Sequence, residues 1–208
     1  MLDVVAGAAI LIHSSAMVVT SSLQGGTPTV DLLLVVLMTD VKDVRRLLYG
    51  AVRDMGMRFD VIGIRGPATF ETIVSHFTSL GGDVVLLDPD MIAGRSHALA
   101  AANHAERAFA EGTNRSKTLP TEIILYCAWE RQIGKAMAKM KPKEGRDEYV
   151  AILMDVDDPR LGDIGMVRDD SLVDATPWKA EKLGLRSCFL SPEDQAVENV
   201  AMVELQKV

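Results

Sequence analysis

The sequence predicts an α+β domain: a mixed, largely antiparallel sheet flanked by helices, forming a single domain with an N-terminal extension. Three observations carry this. Continuous apolar runs of strand length occur at Val30–Met38, Val84-Val85-Leu86-Leu87 and Tyr149–Met154, as expected for strands buried on both faces. Elsewhere apolar residues recur at three- and four-residue spacing between capping residues, the signature of amphipathic helices. Strands and helices do not alternate strictly, which argues against a doubly wound sheet. The 208 residues are 48% hydrophobic, enough for a packed core in one domain plus an appendage.

Residues 1–56 read as a segment of separate composition. Ser21–Thr29 contains Gly25, Gly26 and Pro28 and reads as a loop. Val30–Met38 reads as a buried strand, and Asp40 caps a helix from Val41 to about Arg53. The apolar stretch Val4–Val19 has no basic flank before it and is interrupted by His13, Ser14 and Ser15, so it fits neither a signal peptide nor a membrane span. It shows no pattern that pairs with the rest. Residues 1–56 are therefore expected to be dispensable, with Met57 as the candidate true start of the functional domain, residues 57–208.

From Met57 the pattern becomes regular. Arg58–Arg65 is a strand. Phe70, Ile73, Val74, Phe77 and Leu80 mark a helix that Gly81-Gly82 ends. After the strand at Asp83–Asp88 comes a helix from about Met91 to Glu111, whose face of Ala98, Ala101, Ala102, Ala105 and Phe109 is mostly small. Thr118 caps the next helix, with Pro120 in the first turn where its missing N–H costs nothing. Gly134 bends or breaks it, and Ile133, Ala136, Met137 and Met140 follow on one face. Tyr149–Met154 is a strand, Ser191 caps a helix start, and Val200–Leu205 is expected as a closing strand.

The net charge of −7 argues against nucleic acid until its distribution is read. Residues 91–147 carry 10 basic and 6 acidic side chains, between a first segment of 6 and 10 and a last of 6 and 13. Such a basic middle is either a local phosphate-binding surface or a solvated helix pair, because screening makes the local field matter more than the total. Arg131, Lys135 and Lys139 are each four apart and so form one stripe along a helix. Asn114, Arg115, Ser116 and Lys117 fill the connection before the helix pair, and Lys141, Lys143 and Arg146 follow it. Helix starts beside such cations suit anions. Tyr126, Trp129 and Phe109 are candidate stacking partners for unpaired bases or else core residues. Met137 and Met140 suit either a core or an adaptable, partly exposed docking face.

No catalytic constellation emerges. Gly134-Lys135 has Trp129 where a phosphate-cradling loop needs glycine, and Gly63-Ile64-Arg65-Gly66 is too short for a dinucleotide fingerprint. There is no Gly-x-Ser-x-Gly elbow. His97 and His104 lie about two helical turns apart, too far to share a metal. Asp155, Asp157 and Asp158 lack the glycine and distal glutamate of a calcium loop. The expectation is a protein without catalytic residues, metal, cofactor or small-molecule substrate. Its two cysteines, Cys127 and Cys188, are too few for a disulfide scaffold and fit the cytoplasm.

The stretch Leu86–Met140 carries a further signal. It holds Asp-x-x-x-x-x-Gly-Arg-x-His at Asp88–His97, an alanine-rich helix with His104-Ala105 and Arg107-Ala108-Phe109, and Gly-x-Asn-x-Ser at Gly112–Ser116. Glu122-Ile123-Ile124-Leu125-Tyr126 and Glu130-Arg131-Gln132-Ile133 follow. Together these resemble the KEOPS accessory subunit, the PRPK-binding-protein family, in its archaeal form; the likeness extends loosely from Met57 to Val208. The resemblance implies an α+β, non-catalytic domain that docks on the small kinase-like ATPase subunit of KEOPS. It also implies binding of tRNA, including its single-stranded 3′ end, during threonylcarbamoyladenosine modification. Asn114, Arg115, Ser116, Lys117, Arg131, Gln132, Lys135 and Lys139 are the expected tRNA-binding residues, and Met137 and Met140 the expected kinase contacts. The competing readings are a scaffold that binds only proteins and a small-molecule α/β enzyme with an unrecognised site.

Overall fold

Four strands come first in chain order: β1 (Val4–Val5), β2 (Ala8–His13), β3 (Ala16–Ser21) and β4 (Leu34–Val36). They form an antiparallel sheet in sequential order. The structure, a computed structural model, describes residues 4–5, 8–13, 16–21, 34–36, 56–186 and 189–205. The chain divides into two compact units, Met1–Gly56 and Met57–Val208. Within the first, β2 and β3 pair residue for residue from Ala8↔Ser21 to His13↔Ala16. This apolar stretch pairs with itself as a hairpin, and Ile10, Ile12, Val18, Val19 and Thr20 supply the β-branched residues that favour one. β4 lies inside the predicted strand Val30–Met38. The predicted helix Val41–Arg53 and residues 22–29 of the predicted loop fall outside the described residues.

The second unit is built on an antiparallel sheet of β5 (Phe59–Arg65), β6 (Asp83–Leu87), β7 (Glu148–Met154) and β8 (Val167–Arg168), in the order β6-β7-β5-β8. Six helices accompany it among the described residues: α1 (Phe70–Ser79), α2 (Arg95–Glu111), α3 (Leu119–Ala128), α4 (Ile133–Met140), α5 (Pro177–Leu183) and α6 (Pro192–Leu205). The protein is therefore of the α+β class.

Side-chain alternation divides the sheet's two faces. Val61, Val85, Leu87, Val150, Ile152 and Met154 turn to α2, α3 and α6. Ile62, Ile64, Val84, Leu86, Ala151 and Leu153 turn to Ile73 and Phe77 of α1. The predicted small face of α2 is confirmed: Ala98, Ala101, Ala102 and Ala105 are fully buried. Alanine there lets α2 pack closely against both α3 and α6. Gly63 admits an equally close approach, since a Cβ on it would stand 1.9 Å from the Asp169 carbonyl oxygen.

Three boundaries differ from expectation. Val200–Leu205 is not a strand but the end of α6. Ala196, Val200 and Val203 are its buried residues, and this four-then-three spacing is helical, so packing against α2 overrides the local β-branched composition. The helix expected from Met91 begins at Arg95, because Pro89–Met91 forms a separate 3-10 turn that Asp88 caps through Asp90 N–H at 3.0 Å. The helix pair breaks before Gly134, at Trp129, which adopts φ 56°.

Candidate functional site

Site geometry begins with the connection between α2 and α3. Glu122, buried in the first turns of α3, accepts the backbone N–H groups of Arg115 and Ser116 at 3.0 and 2.8 Å. Ser116 is buried, and its hydroxyl donates to the Thr118 carbonyl at 2.7 Å. Asn114 Nδ2 donates to the Ser116 carbonyl at 2.9 Å. Asn114 and Ser116 thus shape the loop, while the side chains of Arg115 and Lys117 stand exposed.

The corner between α3 and α4 corrects the predicted cationic stripe. Arg131 lies in the link before α4 and Gln132 is its N-cap, so only Lys135 and Lys139 belong to that helix. Lys139 turns inward. Its Nζ donates to the Ala128 carbonyl at 2.8 Å and lies 4.6 Å above the Trp129 ring, and burial pushes its pKa down. Arg131, Gln132 and Lys135 are exposed. The expected methionine patch divides in the same way: Met137 is 41% exposed, whereas Met140 is fully buried. Met140 sits where α4 meets the sheet, its carbonyl accepting Asp88 N–H at 2.9 Å. Ile133, 44% exposed, takes its place beside Met137 on the open face.

The three candidate stacking aromatics are also largely occupied. Tyr126 is fully buried and its hydroxyl donates to Glu204 Oε1. Burial, then Glu204, pushes its pKa above the usual tyrosine range. Trp129 lies between Lys139 and the His97 ring, 5.3 Å away; Phe109 is half-buried. His97 is a structural residue: its Nδ1 accepts Ala93 N–H at 3.2 Å, which leaves Nε2–H to donate to the Cys127 carbonyl at 3.1 Å. Burial lowers its pKa to about 4, so it is neutral at neutral pH.

Sequence reasoning missed one cluster entirely. Asp90 accepts Lys143 and Lys182, each at 2.9 Å, and Arg146 at 3.1 Å. Arg146 also reaches Asp88 at 3.2 Å. Burial opposes the charge on Asp90, but the hydrogen bonds from Lys143, Lys182 and Arg146 prevail and hold its pKa far below the usual carboxylate range. The partners lie 53 to 92 residues apart in sequence, and no local motif signals the pairing.

What remains is an exposed cationic set. Arg115, Lys117, Arg131, Lys135 and Lys141 make no ion pair among the described residues. The short link at Trp129–Gln132 folds α4 back along α3, and Lys141 lines the same groove as Pro120 and Thr121 at the start of α3. Lys135 and Lys141 are therefore separated by roughly 9 Å along the helix axis, and Arg115 and Lys117 lead into the same end. The groove itself has a volume of about 1000 Å³ and runs between the edge of β6, the start of α1 and the 141–147 link.

A family model described as "Kinase binding protein CGI-121" matches residues 70–182, from the start of α1 into α5. The chain belongs to the CGI-121 kinase-binding-protein family. The CGI-121 match spans these five cations, the α3–α4 corner and the Asp90 cluster, and α6 lies beyond it. Among curated proteins, no match to this chain is found.

Proposed function

We propose that this protein is the non-catalytic, tRNA-binding subunit that regulates the kinase-like ATPase of an archaeal KEOPS complex in the cytoplasm, during threonylcarbamoyladenosine modification of tRNA. The observation that carries the RNA half is the set of five exposed cations, unpaired among the described residues, in the loop before α3, in the link after it, and on α4 and its C-cap. Cations already bound to carboxylates have little left to give a phosphate; these five are free to release counterions on binding. Arg115, Lys117, Arg131, Lys135 and Lys141 are thus the phosphate contacts, with Gln132 beside them as a hydrogen-bonding group. Lys139, Asn114 and Ser116 act from beneath, by holding the corner and the loop. The kinase half rests on family membership together with the exposed apolar pair Ile133 and Met137 on α4. Such a patch on a small domain suits a protein partner.

The test is a pair of tRNA titrations over a salt series, with intact tRNA and with tRNA lacking its 3′ end. Arg131→Glu with Lys135→Glu weakens binding and flattens the salt slope by about one unit per lost contact. An unchanged affinity and slope in the folded double variant removes this surface from the site. Met137→Asp abolishes co-purification with the kinase-like subunit while Met140, being buried, is left alone; retained association defeats the docking assignment.

A further inference from the structure

The outer edge of β6 lines the groove, where Val84 and Leu86 are 6% and 5% exposed, and its backbone is not fully used. β6 ends its sheet and, among the described residues, pairs only with β7. The phase of that pairing follows from β5. Gly63 turns away from β7, its N–H bonded to Asp170 Oδ1 at 3.2 Å and its carbonyl to Asp169 N–H at 2.8 Å. Residues alternate in direction, so Ile62 and Ile64 bond to β7 through Ala151 and Tyr149. Val150 and Ile152 then bond to β6 through Leu87 and Val85. Val84 and Leu86 are left facing away from β7. Val84 N–H is taken by Asp83 Oδ1 at 3.0 Å. Leu86 N–H, Leu86 C=O and Val84 C=O have no protein partner among the described residues.

The groove above this edge is apolar at its walls, with Phe70, Ile124 and Met137 among its residues. Its rim is negative where it is unpaired. Lys143 and Arg146 are held by Asp88 and Asp90. Glu71, Glu144 and Asp147 make no ion pair among the described residues and are exposed, against Lys141 alone. Glu71 and Asp147 stand near the Tyr149 hydroxyl, whose pKa is raised by burial and then by these two carboxylates. An open strand edge gives main-chain affinity, flanking pockets read alternate side chains, and rim charge sets selectivity.

We propose that this groove binds an extended apolar segment of a protein partner as an added strand on β6, with a Lys or Arg of that segment between Glu71 and Asp147. The segment pairs through Leu86 and through the Val84 carbonyl. Glu71, Glu144 and Asp147 lie outside the proposed tRNA contacts, so their substitution tests this groove separately, although Lys141 and Met137 of the proposed surfaces also line it.

The experiment is an NMR amide-shift titration of the full chain with three capped synthetic peptides. The first is Lys-Val-Thr-Ile-Thr-Val-Lys, the second has Glu at both ends, and the third is the first with alternate backbone nitrogens methylated. The lysine-flanked peptide shifts the amides of Phe70, Leu86 and Met137 and binds about tenfold more tightly than the glutamate-flanked one. Methylation removes binding, because the methylated face cannot pair with a strand edge. Glu71→Gln with Asp147→Asn, both at exposed positions, removes most of the preference for lysine while leaving tRNA affinity unchanged. No shifts at millimolar peptide, shifts confined to other surfaces, or equal binding of the methylated peptide overturns the proposal.

Discussion

The links 112–118 and 141–147 are both short, polar and basic, and the fold uses them in opposite ways. In the first, a buried carboxylate on α3 grips the backbone, so Glu122 holds the N–H groups of Arg115 and Ser116 and leaves the Arg115 and Lys117 side chains in solvent. In the second, buried carboxylates at the end of β6 grip the side chains, so Asp88 and Asp90 consume Lys143 and Arg146. A basic segment keeps all its cations in solvent where its anchor takes the main chain; where the anchor takes side chains, only Lys141 of the second link stays free. Net charge by segment cannot distinguish the two cases.

The largest effect that bears on this contrast is at Glu122. Glu122→Ala leaves two N–H groups of the loop without their acceptor and opens a cavity, costing about 3 kcal/mol. Urea unfolding measures it, and tRNA affinity falls as Arg115 and Lys117 lose their fixed positions. Asp90→Asn costs less, about 2 kcal/mol, because its cationic partners are partly solvated. It does not weaken tRNA binding, since it frees cations rather than removing them. A loss of tRNA affinity in Asp90→Asn would erase the distinction between the links. The Asp90 carboxyl is depressed in the folded state, so its contribution is present above the ordinary carboxylate pKa of about 4 and is lost as pH falls below it. The wild type therefore loses more stability than Asp90→Asn on acidification from about pH 5 to pH 2.

Smaller again are the paired charge reversals. Arg115→Glu with Lys117→Glu leaves the unfolding midpoint unchanged within about 0.5 kcal/mol and weakens tRNA binding. Lys143→Glu with Arg146→Glu does the reverse, lowering the midpoint with tRNA binding retained by the folded fraction. The smallest expected effect is removal of residues 1–56. Met57 N–H already bonds Glu106 Oε1 at 2.6 Å, and a chain starting there presents an ammonium to the same carboxylate. That chain should fold and bind tRNA as the full chain does; insolubility or loss of binding shows that the first unit is needed.

Much of the second unit was legible in the sequence, because α1 and α3 carry helical spacing with a glycine stop or a capping residue, and β6 and β7 are continuous apolar runs of strand length. The failures share one cause, that a local rule was carried past a point where tertiary contact took over. Ser191 caps α6 as its sequence implies, and the helix continues through Val200 and Val203, whose branched side chains pack on α2. Arg131, Lys135 and Lys139 have helical spacing, but the left-handed backbone of Trp129 and the short link after it put Arg131 outside α4. Lys139 finds a carbonyl and an indole face inside the corner, and Met140 is drawn under by the bond to Asp88. Nothing near Asp90 announces Lys182.

Unpaired cations, rather than basic composition, are what we propose makes the RNA surface. This proposal is tested most directly by the salt dependence of tRNA affinity in two variants of equal charge change, Lys117→Glu with Lys135→Glu and Lys143→Glu with Arg146→Glu. The expected slope is lower by about two for the first pair and unchanged for the second. Equal loss in both pairs would mean that overall charge governs binding, and would contradict it.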